Sequence, residues 1–202
     1  MPSRRDVLRF GAAALAGALA IGLSACAPDS ATEAYLNGDQ KAYTTKDFRV
    51  VEIPADKRKA PVDFGGTTAA GEKFDSSSIK GQVAVVNFWY ATCGPCRVEA
   101  KDLEATYQKH KADDVVFMGV NIYDQAATAQ AFAEKYGVTY PSLMDADSGQ
   151  AKLAFAKVVP IQAPPTTLVL DRQGRVAARI IGPIDGVSIL STLIEDALKE
   201  KA

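Results

Sequence analysis

The 202-residue sequence is poor in the side chains that build metal and cofactor sites, with three cysteines, one histidine and one tryptophan. A zinc knuckle needs a second Cys or His pair at ligand spacing, and His110, the single histidine, cannot supply one. Neither sign of charge is in excess. Lysine and arginine number 23 and aspartate and glutamate 24, a formal net charge of −1 that points to neither nucleic acid nor an anionic lipid surface as a partner. Long apolar runs are missing as well. The uncharged stretch from Gly11 to Leu23 covers 13 residues, whereas a helix crossing about 30 Å of hydrocarbon takes roughly 20. No internal repeat is visible.

What the N-terminal end does have is an export pattern. Arg4, Arg5 and Arg9 make a basic start, an Ala-, Gly- and Leu-rich stretch follows, and Leu23-Ser24-Ala25-Cys26 closes it with small residues before a cysteine. That tetrapeptide resembles the lipobox of bacterial lipoproteins, which implies cleavage before Cys26 and lipid on the new N-terminal cysteine. Ser3-Arg4-Arg5-Asp6-Val7-Leu8 resembles a twin-arginine export motif, with an ordinary basic leader as the alternative. Several acyl chains, at about 0.8 kcal/mol per buried CH₂, would hold a protein on a membrane stably. The expectation is a signal peptide over 1–25 and a lipid anchor at Cys26 on the outer face of a bacterial cell membrane. A tether over 26–45, marked by Pro28, Asp29, Ser30, Gly38 and Asp39, would lead to one domain over 46–202. Removing 1–25 takes away three arginines and one aspartate and leaves a formal charge of −3.

Along the domain, Phe48 to Ile53 reads as an early strand, and Pro61-Val62-Asp63-Phe64 with Glu72-Lys73-Phe74 reads as a hairpin joined through glycines. Val83 to Trp89, apolar except for Asn87, predicts a central strand buried on both faces. From Cys93 the pattern turns helical. Cys96, Ala100, Leu103 and Tyr107 recur at intervals of four, three and four and make one buried stripe, with Arg97, Lys101, Glu104 and Gln108 on the wet side. His110 falls at the solvated end of that helix. Val115 to Ile122 predicts a second buried strand, and Asp124 a cap for a helix stopped at Gly137. A strand near Val138 to Leu143 and a short helix from Gln150 to Ala156 follow. Thr166 to Leu170 and Arg175 to Ile181 flank an Asp171-Arg172-Gln173-Gly174 turn, and a last helix from Val187 to Lys199 buries Leu190, Leu193, Ile194 and Ala197. Strands alternating with helices before a terminal hairpin indicate an α/β fold, a sheet covered on both faces.

The chemistry concentrates in Asn87-Phe88-Trp89-Tyr90-Ala91-Thr92-Cys93-Gly94-Pro95-Cys96-Arg97. A thiolate is the species that attacks disulfides, and a free thiol with a pKa near 8.5 needs help to become one. Cys93 stands where a helix begins, before unsatisfied N–H groups and the positive end of the helix dipole. Gly94 lets the backbone come close, Pro95 suits the first helical turn, and Arg97 adds a positive charge. Cys96 lies one turn in, placed to resolve a mixed disulfide formed on Cys93. A purely structural disulfide remains an alternative, although a helix start makes such a bond easy to reduce.

The segment from Asn87 to Glu99 resembles the active site of membrane-anchored thioredoxin-like proteins of the TlpA/ResA type. Pro164-Pro165-Thr166-Thr167-Leu168-Val169-Leu170-Asp171 resembles that family's second signature. Ala60-Pro61-Val62-Asp63-Phe64 is similar to its opening strand, and Gly119-Val120-Asn121 with the following helix to its central β-α insertion. The likeness covers about residues 60 to 200. It implies a thioredoxin-like fold: a central mixed sheet with helices on both faces and an N-terminal hairpin. It further implies a cis bond before Pro165, with the Pro164–Thr166 loop packed on the two sulfurs and offering backbone to a substrate strand. Glu99 matches an acid that tunes the dithiol in cytochrome c-linked members, a surface helix Glu being the alternative. Some positions depart from the pattern. Thr92 stands where relatives carry an aromatic residue, with Tyr90 restoring some bulk and Trp89 as a fixed wall. Asn87 stands where cytoplasmic thioredoxins keep a buried Asp, so proton transfer at Cys96 falls to Glu99 or water. Lys101 replaces a helix-kinking proline, and Pro164 has no N–H to offer. These departures predict selective substrate use.

The expected function is extracytoplasmic thiol–disulfide exchange with protein disulfides through Cys93 and Cys96, in the reducing direction, the redox-active disulfide serving without a further cofactor. The resemblance implies apocytochrome c as substrate and a membrane-integral thiol reductant as the source of electrons. The alternative is an oxidase that donates its disulfide to exported proteins. A peroxidase would want Thr where Tyr90 stands, and a copper-delivery lipoprotein would want a wider cysteine spacing and a distal histidine.

Overall fold

The computed structural model describes residues 49–161 and 163–200. The signal, Cys26, the tether and Phe48 lie outside the described residues. The strands are β1 (Val50–Glu52), β2 (Gly65–Thr67), β3 (Lys73–Asp75), β4 (Val83–Trp89), β5 (Val115–Asn121), β6 (Ser142–Met144), β7 (Thr166–Leu170) and β8 (Val176–Ile181). The helices are α1 (Gly94–His110), α2 (Ala126–Tyr136), α3 (Gln150–Ala156) and α4 (Val187–Lys199). Six strands form a mixed sheet in the order β1-β8-β7-β4-β5-β6. Strand β4 runs parallel to β5 and antiparallel to β7, so it is central and paired on both sides.

The period-two alternation of β4 divides the core. Val83 and Val85 face Leu103 of α1 and Leu190, Leu193, Ile194 and Ala197 of α4. Ala84, Val86 and Phe88 face the other way, against Val62, Phe64 and Phe155 of α3. Helices therefore cover both faces, as an α/β sheet requires.

The N-terminal hairpin lies later than the sequence suggests, pairing β2 with β3. Pro61 has no N–H for a ladder, and Val62 and Phe64 serve as core side chains, Phe64 lying 4.9 Å from the ring of Phe155. The strand expected near Val138 begins only at Ser142, immediately after Pro141, which likewise brings no ladder donor. His110 is not solvated. It is 2% exposed, with Nε2 3.0 Å from Ser191 Oγ on α4 and Nδ1 3.0 Å from Asp113 Oδ2. It lies seven residues past Leu103, two helical turns on, and the helix period carries it beneath α4.

At the end of the sheet away from Cys93, Asp171 closes the β7–β8 turn. Its carboxylate accepts the N–H groups of Gln173 and Arg175, each at 2.9 Å, and the guanidinium groups of Arg58 at 2.9 Å and Arg175 at 2.8 Å. Arg58 also pairs with Glu200, at 2.6 Å from Nη2.

Candidate active site

Strand β4 delivers the site. Its last residue, Trp89, is followed by a short turn closed by Cys93 N–H donating to Tyr90 O at 3.2 Å, and α1 starts at once. Cys93 is the N-cap of α1, its Sγ accepting the N–H of Cys96 at 3.2 Å. A cysteine in this role puts its sulfur against the orphan amides and positive end of the helix, where a thiolate is favoured. Cys93 and Cys96 form a disulfide with S–S 2.05 Å. Both are 3% exposed and pack with Trp89, Ala100, Ala129 and Phe132. Attack on the pair must come over the exposed rim of Thr92, Gly94 and Pro95.

Trp89 packs beside the disulfide: its ring lies 4.4 Å from that of Phe132, and its Nε1 donates to Ser142 Oγ at 3.2 Å. Gly119, beside Trp89 on β5, is required by close approach, since a Cβ there would fall 2.8 Å from the indole Nε1. A cavity of about 20 Å³ beneath the disulfide is lined by Asn87, Cys96 and Tyr140 among others, and that is room for one water.

The bond between Pro164 and Pro165 is cis. Because Phe88 pairs with Thr166, the register sets Pro165 beside Trp89, next to the dithiol turn. Thr166 is fully buried, and its hydroxyl donates to Ala163 O at 2.9 Å. Gly182 N–H donates to Pro165 O at 2.8 Å. The carbonyls of Ala163 and Pro165 thus each accept one internal donor.

Glu99 is not a surface residue. It lies one turn beyond Cys96 and is 0% exposed. Oε1 accepts Asn87 Nδ2 at 2.9 Å, and Oε2 accepts the Ile184 N–H at 3.0 Å. Asn87 also donates to Thr167 Oγ1 at 3.0 Å. Burial pushes the Glu99 pKa up to about 7 against the lowering effect of those two hydrogen bonds. The carboxyl therefore changes its protonation near neutrality, and Asn87 links it to the cavity that touches Cys96. Among the described residues no group of three or more His, Cys, Asp or Glu side chains could hold a metal ion.

Arg97 and Asp124 take roles that the sequence reading missed. Arg97 is anchored as well as charged: its Nε donates to Ala91 O at 2.8 Å. Asp124 does not cap α2, whose N-cap is Gln125 with no side-chain bond. Its carboxylate reaches back to Ala91 N–H at 2.6 Å and to Asn121 Nδ2 at 2.9 Å. An Asn three residues before an Asp at a strand end is the available signal, because Asn side chains bond their own backbone two and three residues on.

The Redoxin family model matches residues 54–194. ResA of Bacillus anthracis, a thiol-disulfide oxidoreductase, is 29% identical over 133 residues, 63% of this chain and 74% of that protein. HelX of Rhodobacter capsulatus, a thiol:disulfide interchange protein, is 36% identical over 110 residues, 54% of this chain and 58% of that protein. A secreted thiol-disulfide isomerase from Corynebacterium glutamicum has a similar solved structure, with TM-score 0.70 at 26% identity, over 78% of this chain and 96% of that one.

Proposed function

Since this chain belongs to the Redoxin family and is a thiol–disulfide oxidoreductase, we propose that it works outside the cytoplasm of a bacterium as a reductant of selected protein disulfides. Cys93 thiolate attacks one sulfur of the substrate disulfide, that S–S bond breaks, and a substrate thiolate leaves. Cys96, deprotonated, then attacks Cys93 Sγ, the mixed disulfide breaks, and the second substrate thiolate leaves. Two electrons pass to the substrate, and the Cys93–Cys96 disulfide remains. Glu99, titrating near 7 and held in place by the Asn87 amide, is the acceptor of the Cys96 proton, which a water in the cavity between Cys96 and Asn87 would carry. No further cofactor enters the scheme.

The observation that carries the reducing direction is the charge environment of the dithiol. A strong oxidant such as DsbA owes its potential to a stabilised reduced form. Here both sulfurs are 3% exposed and the titratable neighbour one turn from Cys96 is a carboxyl. The helix start supports the Cys93 thiolate, but burial and the Glu99 carboxyl oppose negative charge on the reduced pair as a whole, which favours giving electrons away. A lipid anchor at Cys26 and a membrane-integral thiol reductant that restores the dithiol complete the reading, supported by the export pattern of residues 1–26. Apocytochrome c, whose haem-attachment cysteines must be thiols, is the proposed substrate. Among the described residues no helix is long and apolar enough to cross a membrane.

A redox titration against glutathione tests the direction. A potential near or below that of thioredoxin, roughly −270 mV, is expected, and one near −120 mV would overturn the reading. Cys93→Ser should abolish reduction of a model disulfide in a chain that still folds. Cys96→Ser should trap substrates on Cys93, and a catch without haem-attachment peptides would sink the cytochrome assignment.

A further inference from the structure

Ala91, two residues before Cys93, is gripped at both of its backbone polar groups. Asp124 accepts its N–H at 2.6 Å from the β5–α2 loop, and Arg97 donates to its carbonyl at 2.8 Å from the first turn of α1. Both bonds are charge-assisted, the stronger kind. The grip is itself held from behind. Asn121 is fully buried, its Nδ2 donates to the same Asp124 oxygen at 2.9 Å, and its Oδ1 accepts the N–H groups of Tyr123 at 3.1 Å and Asp124 at 2.8 Å. Asn121 is also the register partner of Trp89, and Ile122 N–H donates to Trp89 O at 3.1 Å. The turn that carries the nucleophile is therefore fastened to the end of the neighbouring strand. Tyr123, on the fastening loop, sets its ring 5.7 Å from that of Tyr90.

We propose that Asp124, backed by Asn121, is a positioning residue for Cys93: it fixes the Tyr90–Cys93 turn so that the sulfur stays against the Cys96 N–H at the start of α1. The proposal rests on Cys93–Cys96 as the reactive pair and is independent of which way the electrons flow. Positioning and charge predict opposite outcomes. A carboxylate acting only through its charge would oppose a nearby thiolate, and removing it would speed the reaction of Cys93. A carboxylate acting as a fastener leaves, once removed, a sulfur less well held at the helix start, with less thiolate at neutral pH.

The test is the pH profile of Cys93 alkylation by iodoacetamide in the reduced full chain, together with the equilibrium with glutathione. Asp124→Ala should slow alkylation at pH 7 about tenfold and shift the glutathione equilibrium about tenfold toward the disulfide, which corresponds to about 30 mV. Asp124→Asn, which keeps an acceptor oxygen for Ala91, should stay within about threefold of the wild type. Equal or faster alkylation in Asp124→Ala, or the same change in both variants, overturns the proposal, as does a lowered melting temperature with profile and equilibrium unmoved. A measurement on the unaltered chain stands beside the variants. The Ala91 amide should exchange with deuterium at least tenfold more slowly than that of exposed Thr92, and comparable rates would overturn the proposal too. A glutathione potential near −120 mV in the wild type would defeat the reducing role while leaving this assignment untouched.

Discussion

Two buried carboxyl groups at opposite ends of the sheet are treated in opposite ways. Asp171 is 3% exposed, and burial by itself would raise its pKa. The Arg175 N–H and the guanidinium groups of Arg58 and Arg175 outweigh that and hold it below the usual carboxylate range. Glu99 is 0% exposed and meets only the neutral donors of Asn87 and Ile184, so burial wins and the group rises to about 7. A charge that serves the architecture is given cations. The carboxyl one turn from Cys96 is denied them, as its proposed part in proton exchange would require. The difference separates a structural carboxylate from a proposed working one by partners rather than by burial.

Breaking the structural side should have the largest effect. Asp171→Ala leaves the Arg58 side chain, 2% exposed, paired with Glu200 alone among the two acids that hold it. Urea unfolding should show a loss of about 3 kcal/mol, with the glutathione equilibrium unchanged. The working side should show itself next, as a pH dependence of stability in the oxidised chain, where the cysteines do not titrate. Glu99 has a folded pKa above its unfolded one, so from about pH 4.5 to 7 the unfolded chain loses its proton first and stability falls as pH rises. A shift from 4.5 to about 7 corresponds to about 3 kcal/mol at most. Glu99→Gln should flatten that slope and be the more stable protein at pH 8. Its amide oxygen can accept from Ile184 while its NH₂ meets a flipped Asn87. Asp171, with its pKa depressed, contributes stability above its unfolded pKa and loses it only in more acid solution, so Asp171→Asn should leave the pH 5–8 slope in place. The smallest effect is kinetic: Glu99→Gln should remove an inflection near pH 7 from the rate of disulfide reduction, changing it by less than about tenfold at any pH, whereas Asp171→Asn should keep the inflection.

The parts of this molecule that were legible in the sequence are those whose signals are local or periodic. Val83–Trp89, α1, α3, β7 and α4 all follow from runs of apolar residues and their spacing, and Cys93 follows from its place before Gly94 and Pro95. The cis bond at Pro165 was reachable only through likeness to a family, because nothing local demands it. Burial hid His110, and left Glu99 reachable only through likeness to the family, for one reason. They lie on the column of α1 next to Ala100 and Leu103, where a polar residue breaks the apolar pattern. Their partners, Ile184 and Ser191, come from 85 and 81 residues away. Asp124 was misplaced because a cap and a backward clasp share the same residue type at the same helix start, and only the fold decides which amide the carboxylate finds.

The direction of β1 has a consequence for how the domain meets its surroundings. Val50 pairs with Ile180 and Glu52 with Ala178, while Ile181 lies opposite Thr166, so β1 starts at the end of the sheet that carries the dithiol. Three inter-strand steps separate β1 from β4, about 14 Å. Glu200 lies with Arg58 and Asp171 at the far end. The chain therefore enters the described domain on the side of the reactive pole and ends at the opposite one. Labels and fusions at the C-terminus should leave the approach to Cys93 clear, whereas a bulky module joined directly before Arg49 would stand in it.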